Sequence, residues 1–106
     1  MLVLPIEKKW FDMILSGEKK EEYRDISDYW KVRFANAFGK CAYIPRYQAE
    51  TRVEKIMFRN GYSKNSPSVI AKCSLRVGMG KEEWGAEKDK EYFVLTIHEI
   101  GKGENV

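Results

Sequence analysis

The order of hydrophobic periods along the chain predicts an α+β fold, with two helices near the N-terminus and a largely antiparallel β half curled into a sheet or barrel. Three observations predict it. Apolar residues recur at helical spacing twice before residue 39, the period changes to two from residue 41, and a last alternating run closes the pattern at residue 100. With 106 residues, 43% of them hydrophobic, the chain has length and apolar material for one core, so a single domain over residues 1–106 is expected.

Leu2, Val3, Leu4 and Ile6 form a short apolar run interrupted by Pro5, which suits an edge or opening strand because proline brings no N–H to a ladder. Trp10, Phe11, Ile14 and Leu15 make one apolar face of a helix, and Gly17 stands where a C-terminal cap is expected. Lys20 to Arg24 is charged but of strand length. Asp25 to Ser27 then offer side-chain oxygens to cap a second helix, in which Ile26, Tyr29, Trp30, Arg33 and Phe34 repeat at helical spacing as far as Gly39.

Val53 to Arg59 sets Ile56 and Phe58 against Lys55 and Arg59, Asn60-Gly61-Tyr62 forms a turn, and Ser63 to Pro67 extends it as a polar loop. The clearest strand is Val69 to Val77, with Val69, Ala71, Cys73, Leu75 and Val77 on one face and Ile70, Lys72, Ser74 and Arg76 on the other. Gly78-Met79-Gly80 and a charged segment containing Trp84-Gly85-Ala86 follow. Tyr92 to Ile100 then places Phe93, Leu95 and Ile97 on one face of a closing strand, and residues 101–106 are expected to fray.

Several chemistries are set aside by residue type. Cys41 and Cys73 belong to no C-x-x-C pair, so neither a zinc site nor a redox motif is expected, and both are read as reduced, packed thiols. His98, the one histidine, alternates with apolar residues and is read as a packing or surface residue, which leaves no Ser-His-Asp or Cys-His site. Gly78-Met79-Gly80 lacks the rest of a phosphate-loop fingerprint. No cofactor and no metal are therefore expected. No run approaches the roughly 18 apolar residues of a membrane helix, and the cytoplasm is the expected location.

Net charge is +3 but unevenly spread: residues 1–39 balance, Lys40 to Arg76 carry eight basic residues against Glu50 and Glu54, and the rest is acidic. The basic stretch points to a polyanion partner, although an ordinary solvated surface produces such runs as well.

The stretch Ser16-Gly17-Glu18-Lys19-Lys20-Glu21-Glu22-Tyr23-Arg24 is the most informative, because a strand so charged cannot bury both faces without partners. Lys20, Glu22 and Arg24 alternate onto one side, and the stem of Lys19 reaches toward the same place. Gly17-x-Lys19-x-x-Glu22-x-Arg24, preceded by a Trp-Phe-Asp-x-Ile-Leu helix, resembles the G-x-K-x-x-E-x-R signature of the ASCH family. The Trp30 to Arg33 segment, Asn60-Gly61-Tyr62, Trp84-Gly85-Ala86 and the last strand also look like small bacterial or phage-type members.

The resemblance implies a PUA-like β-barrel of about five to six strands, flanked by two helices, with an RNA-binding cleft beside the motif. Some ASCH proteins hydrolyse acetylated cytidine with a Lys in the place of Lys19, a Thr in the place of Glu22 and a Glu farther along. Here Glu22 replaces the Thr, and Glu82 or Glu83 is a candidate third group that the family's motif does not align. A carboxylate beside Lys19 is expected to hold it protonated, which disfavours base catalysis by Lys19.

The expected function is binding of RNA or a nucleoside at a site that includes Lys20 and Glu22, with Lys19, Arg24 and Arg33 meeting phosphate and Tyr29, Trp30, Tyr62 and Trp84 as stacking candidates. For Trp30, packing within helix two competes with stacking. The rivals are a small hydrolase acting on a modified nucleoside or on RNA, with Lys19 and Glu22 as the reactive pair, and a protein-interaction accessory module.

Overall fold

A computed structural model of the protein describes residues 1–39 and 52–101. Cys41, the first part of the basic stretch from Lys40 and the tail after residue 101 lie outside the described residues. The elements run β1 (Leu2–Pro5), α1 (Lys8–Leu15), β2 (Glu21–Asp25), α2 (Asp28–Phe38), β3 (Val53–Arg59), β4 (Ser68–Met79), a short 3-10 turn (Glu82–Trp84) and β5 (Glu91–Ile100). Their order and type follow the sequence periods.

The five strands form one curled, half-barrel sheet in the order β1-β3-β4-β5-β2. β1 runs parallel to β3, and every other pair is antiparallel. β1 and β2, the two N-terminal strands, thus end up at opposite edges of the sheet. The β4–β5 register skips His98: Lys72 faces Glu99 while Cys73 faces Ile97. The bulge bends the sheet, and the His98 ring meets the Ser74 hydroxyl at 2.7 Å.

Phe11 and Ile14 of α1 and Phe34 and Phe38 of α2 pack on the inner face of the sheet against Leu4, Phe58, Leu75, Phe93 and Leu95. The Phe34 ring lies edge-on to Phe93 at 5.1 Å and stacks with Trp30 at 5.6 Å. The buried stripe of α2 is therefore Trp30-Phe34-Phe38. Ile26 and Tyr29, expected on that face, are exposed, because α2 begins after the Ser27 cap and turns Tyr29 outward.

A smaller cluster of Tyr23, Ala86, Tyr92 and Val94, joined by Trp84, covers the outer face of β2 and β5. It anchors the β4–β5 connection. The Lys81 N–H donates to the Tyr23 hydroxyl, which itself donates to Glu21. Gly80 presses on the Tyr23 ring so closely that a Cβ there would collide with it. Among the described residues no helix is long and apolar enough to cross a membrane.

Candidate functional site

The site starts where α1 stops. Gly17 takes a left-handed φ of +84°, its N–H donates to the Ile14 carbonyl, and the Lys19 N–H reaches back to the Met13 carbonyl at 3.0 Å. This turn carries the Lys19 side chain inward, where it is 1% exposed. Its ammonium donates to the Trp84 carbonyl, lies 3.7 Å from Glu22 Oε1 and rests against the Trp10 and Tyr23 rings at 4.8 and 5.0 Å.

Burial lowers the Lys19 pKa below its ordinary 10.5, and the nearby Glu22 only partly opposes this. Glu22 does act upward as expected, but the expected net rise of the Lys19 pKa is corrected to a net lowering. The cause is tertiary: loss of water around the ammonium outweighs a single carboxylate at 3.7 Å.

β2 supplies the rest. Register places Glu22 opposite Leu95 and Arg24 opposite Phe93, both on the inner face of the sheet. Glu22 Oε1 accepts from the Tyr23 N–H and faces Arg24 Nη1 at 3.4 Å. Glu22 Oε2 has no partner, although the residue is only 6% exposed. Arg24 donates to the Tyr23 carbonyl at 2.7 Å and, across the gap between the sheet edges, to the Pro5 carbonyl at 2.9 Å, while its guanidinium lies 5.4 Å from the Trp30 ring.

Glu22 and Arg24 form one wall of a cleft of about 470 Å³, completed by Pro5, Ile6, Glu7, Trp10, Asn60, Gly61 and Tyr62. Tyr62, at the tip of the β3–β4 loop, is 89% exposed. Neither a family model, nor a characterised protein, nor a solved structure matches this chain. What the cleft can do is read from its own side chains.

Of the residues singled out from sequence, the structure brings Glu22, Arg24 and Tyr62 into the cleft lining, with Lys19 buried beside Glu22. Lys20 is exposed and borders a separate depression with His98 and Glu99. Arg33 stacks on Tyr29 at 3.4 Å, and it borders another depression with Met1 and Lys55. Trp30 packs against the core, and Trp84 gives its carbonyl to Lys19 while its ring lies under Lys81. The expected cluster of Lys19, Arg24 and Arg33 on one phosphate is not formed.

Trp10, Asn60 and Glu7 were missed. Trp10 has helical spacing with Phe11 and Ile14, so its periodicity signals core, yet it is only half-buried and faces the cleft from the first turns of α1. Nothing in the local sequence places Asn60 across from Glu22. Among the described residues no group of His, Cys, Asp and Glu is arranged to hold a metal ion. The cleft offers an anionic acceptor, a guanidinium and two aromatic side chains, a set suited to a planar ligand that carries hydrogen-bond donors.

Proposed function

We propose that this chain is an ASCH-type, PUA-like domain whose cleft binds a nucleobase, in single-stranded RNA or as a nucleoside. One observation carries the reading: Glu22, whose Oε2 is buried and without a partner, belongs to the lining of a cleft that also holds Arg24, Trp10 and Tyr62. A buried acceptor left unsatisfied costs free energy that an incoming N–H recovers once the carboxylate turns toward the cleft. A nucleobase provides that donor on a flat edge and offers a π-face to the aromatic residues. The Gly17-x-Lys19-x-x-Glu22-x-Arg24 motif supports the same assignment, since its Lys, Glu and Arg meet at this wall.

Binding is favoured over turnover because Lys19 has no exposed side-chain surface and is held by the Trp84 carbonyl. The lowered Lys19 pKa is the one observation that favours a hydrolase of modified nucleosides or RNA. Titrating the protein with single-stranded RNA at low salt and with free nucleosides tests the proposal. Saturable binding of at least one is expected, and the absence of any binding overturns it. Release of acetate from acetylated cytidine by pure protein, lost in Lys19→Ala, would establish the hydrolase instead.

A further inference from the structure

We propose that a basic groove, at the other end of β1 and β3 from the cleft, docks an acidic segment of a protein partner that carries aliphatic residues between its carboxylates. The proposal is independent of the base-binding reading, since no residue lines both sites. Three depressions of about 440, 410 and 260 Å³ make up the groove. The first lies between Arg33 and Asn36 of α2 and the starts of β1 and β3. It shares Glu54 and Lys55 with the second, which shares Lys55 and Lys72 with the third. Together they lead from α2 round the end of the sheet onto the outer face of β3 and β4.

Charge identifies the partner. The register sets Lys55 directly opposite Lys72, and like charges so placed destabilise a strand pair. Glu99 relieves Lys72 at 3.3 Å, and Glu54 is taken by Arg52 at 2.8 Å. Among the described residues no carboxylate pairs with Lys55 or Arg33. Arg33 is already held in place: its guanidinium stacks on the Tyr29 ring at 3.4 Å and donates to the Tyr29 carbonyl at 3.2 Å, so little freedom is lost when a carboxylate arrives. A carboxylate set between Lys55 and Lys72 turns their repulsion into attraction. Beside these cations the surface is aliphatic, with Val53 46% exposed and Leu2 and Ile70 half-buried. None of the described lining residues is aromatic, and the nearby Tyr29 ring is stacked under Arg33 and edge-on to Trp30. Single-stranded nucleic acid is held largely by stacked rings, so this lining favours carboxylates with aliphatic neighbours.

Fluorescence anisotropy tests the proposal with three labelled probes: a short peptide of glutamate, valine and serine, its counterpart with glutamine for glutamate, and a short oligothymidylate. The acidic peptide is expected to bind at about 50 mM salt and to weaken severalfold by about 200 mM, as exposed ion pairs are screened. Lys55→Glu, at an exposed position, should weaken it about tenfold or more. The same substitution should raise the urea midpoint of the free protein, because it replaces a like-charge cross-strand pair by an opposite one. Arg33→Gln should weaken the peptide about two- to fivefold. Nucleoside binding by Lys55→Glu should match the parent, which separates this groove from the cleft. If the acidic peptide does not bind, if the glutamine counterpart binds as well, or if Lys55→Glu binds the peptide as the parent does, the proposal fails and base binding is untouched. If the oligothymidylate binds more tightly than the peptide and is lost in Lys55→Glu, the groove serves nucleic acid and the acidic protein partner is overturned.

Discussion

Lys19 keeps a positive charge where almost no water reaches it, and three partners make that tolerable: the Trp84 carbonyl, the Glu22 carboxylate and the faces of Trp10 and Tyr23. Lys19→Ala removes the cation, opens a void and leaves the Trp84 carbonyl without its donor, so a loss of about 3 kcal/mol or more in urea unfolding is expected. The pH dependence has a definite sign. Because the folded pKa lies below the unfolded 10.5, the unfolded chain binds more protons in the interval between them. The cost of the buried ammonium is thus fully present below the folded pKa and is relieved as pH rises toward 10.5. Relative to Lys19→Met, the parent should gain stability over that interval. A urea midpoint difference that stays flat or moves the other way contradicts the assignment. The motif made Lys19 legible as a candidate residue, but its burial was not, because that depends on a carbonyl contributed 65 residues later.

The junction of α1 and β2 places both members of the Lys19–Glu22 pair. Gly17 at φ +84° lets the chain leave the helix, and a Cβ added there would meet nothing within 4 Å. The cost of Gly17→Ala is therefore purely conformational, about 1 kcal/mol, with Gly17→Asn costing less, as thermal or urea unfolding would show. An equal loss for both would point to packing instead. This junction was legible in the sequence, since an apolar face of period 3.6 followed by glycine is a local signal. α2 was legible in extent but not in facing: its stripe runs through Trp30, Phe34 and Phe38, and Phe93 of β5 determines which side is covered.

Across the whole molecule, Arg24 ties the sheet's two edges together by donating from β2 to the Pro5 carbonyl of β1. The cleft lies beside that tie. Lysine keeps the charge but lacks the planar fork that reaches the Tyr23 and Pro5 carbonyls while lying near Trp30. Arg24→Lys should cost about 1–3 kcal/mol and speed hydrogen exchange in β1 and β2, leaving the paired centre of β4 and β5 protected. Uniform acceleration across all five strands would show that the tie is not local.

The sequence by itself determined the α+β class, the order of the elements and the inner faces of β3, β4 and β5, and it marked the charged α1–β2 junction as a candidate site. Each of these follows from period, capping residue or local charge, which act over a few residues. Only the tertiary structure decided that β1 and β2 become opposite edges, that Trp10 and Asn60 join Glu22 and Arg24 in one cleft, and that Lys20, Tyr29 and Arg33 border other surfaces. Strand pairing between distant segments and the withdrawal of water from Lys19 create those relations, and neither is written in any local stretch of residues.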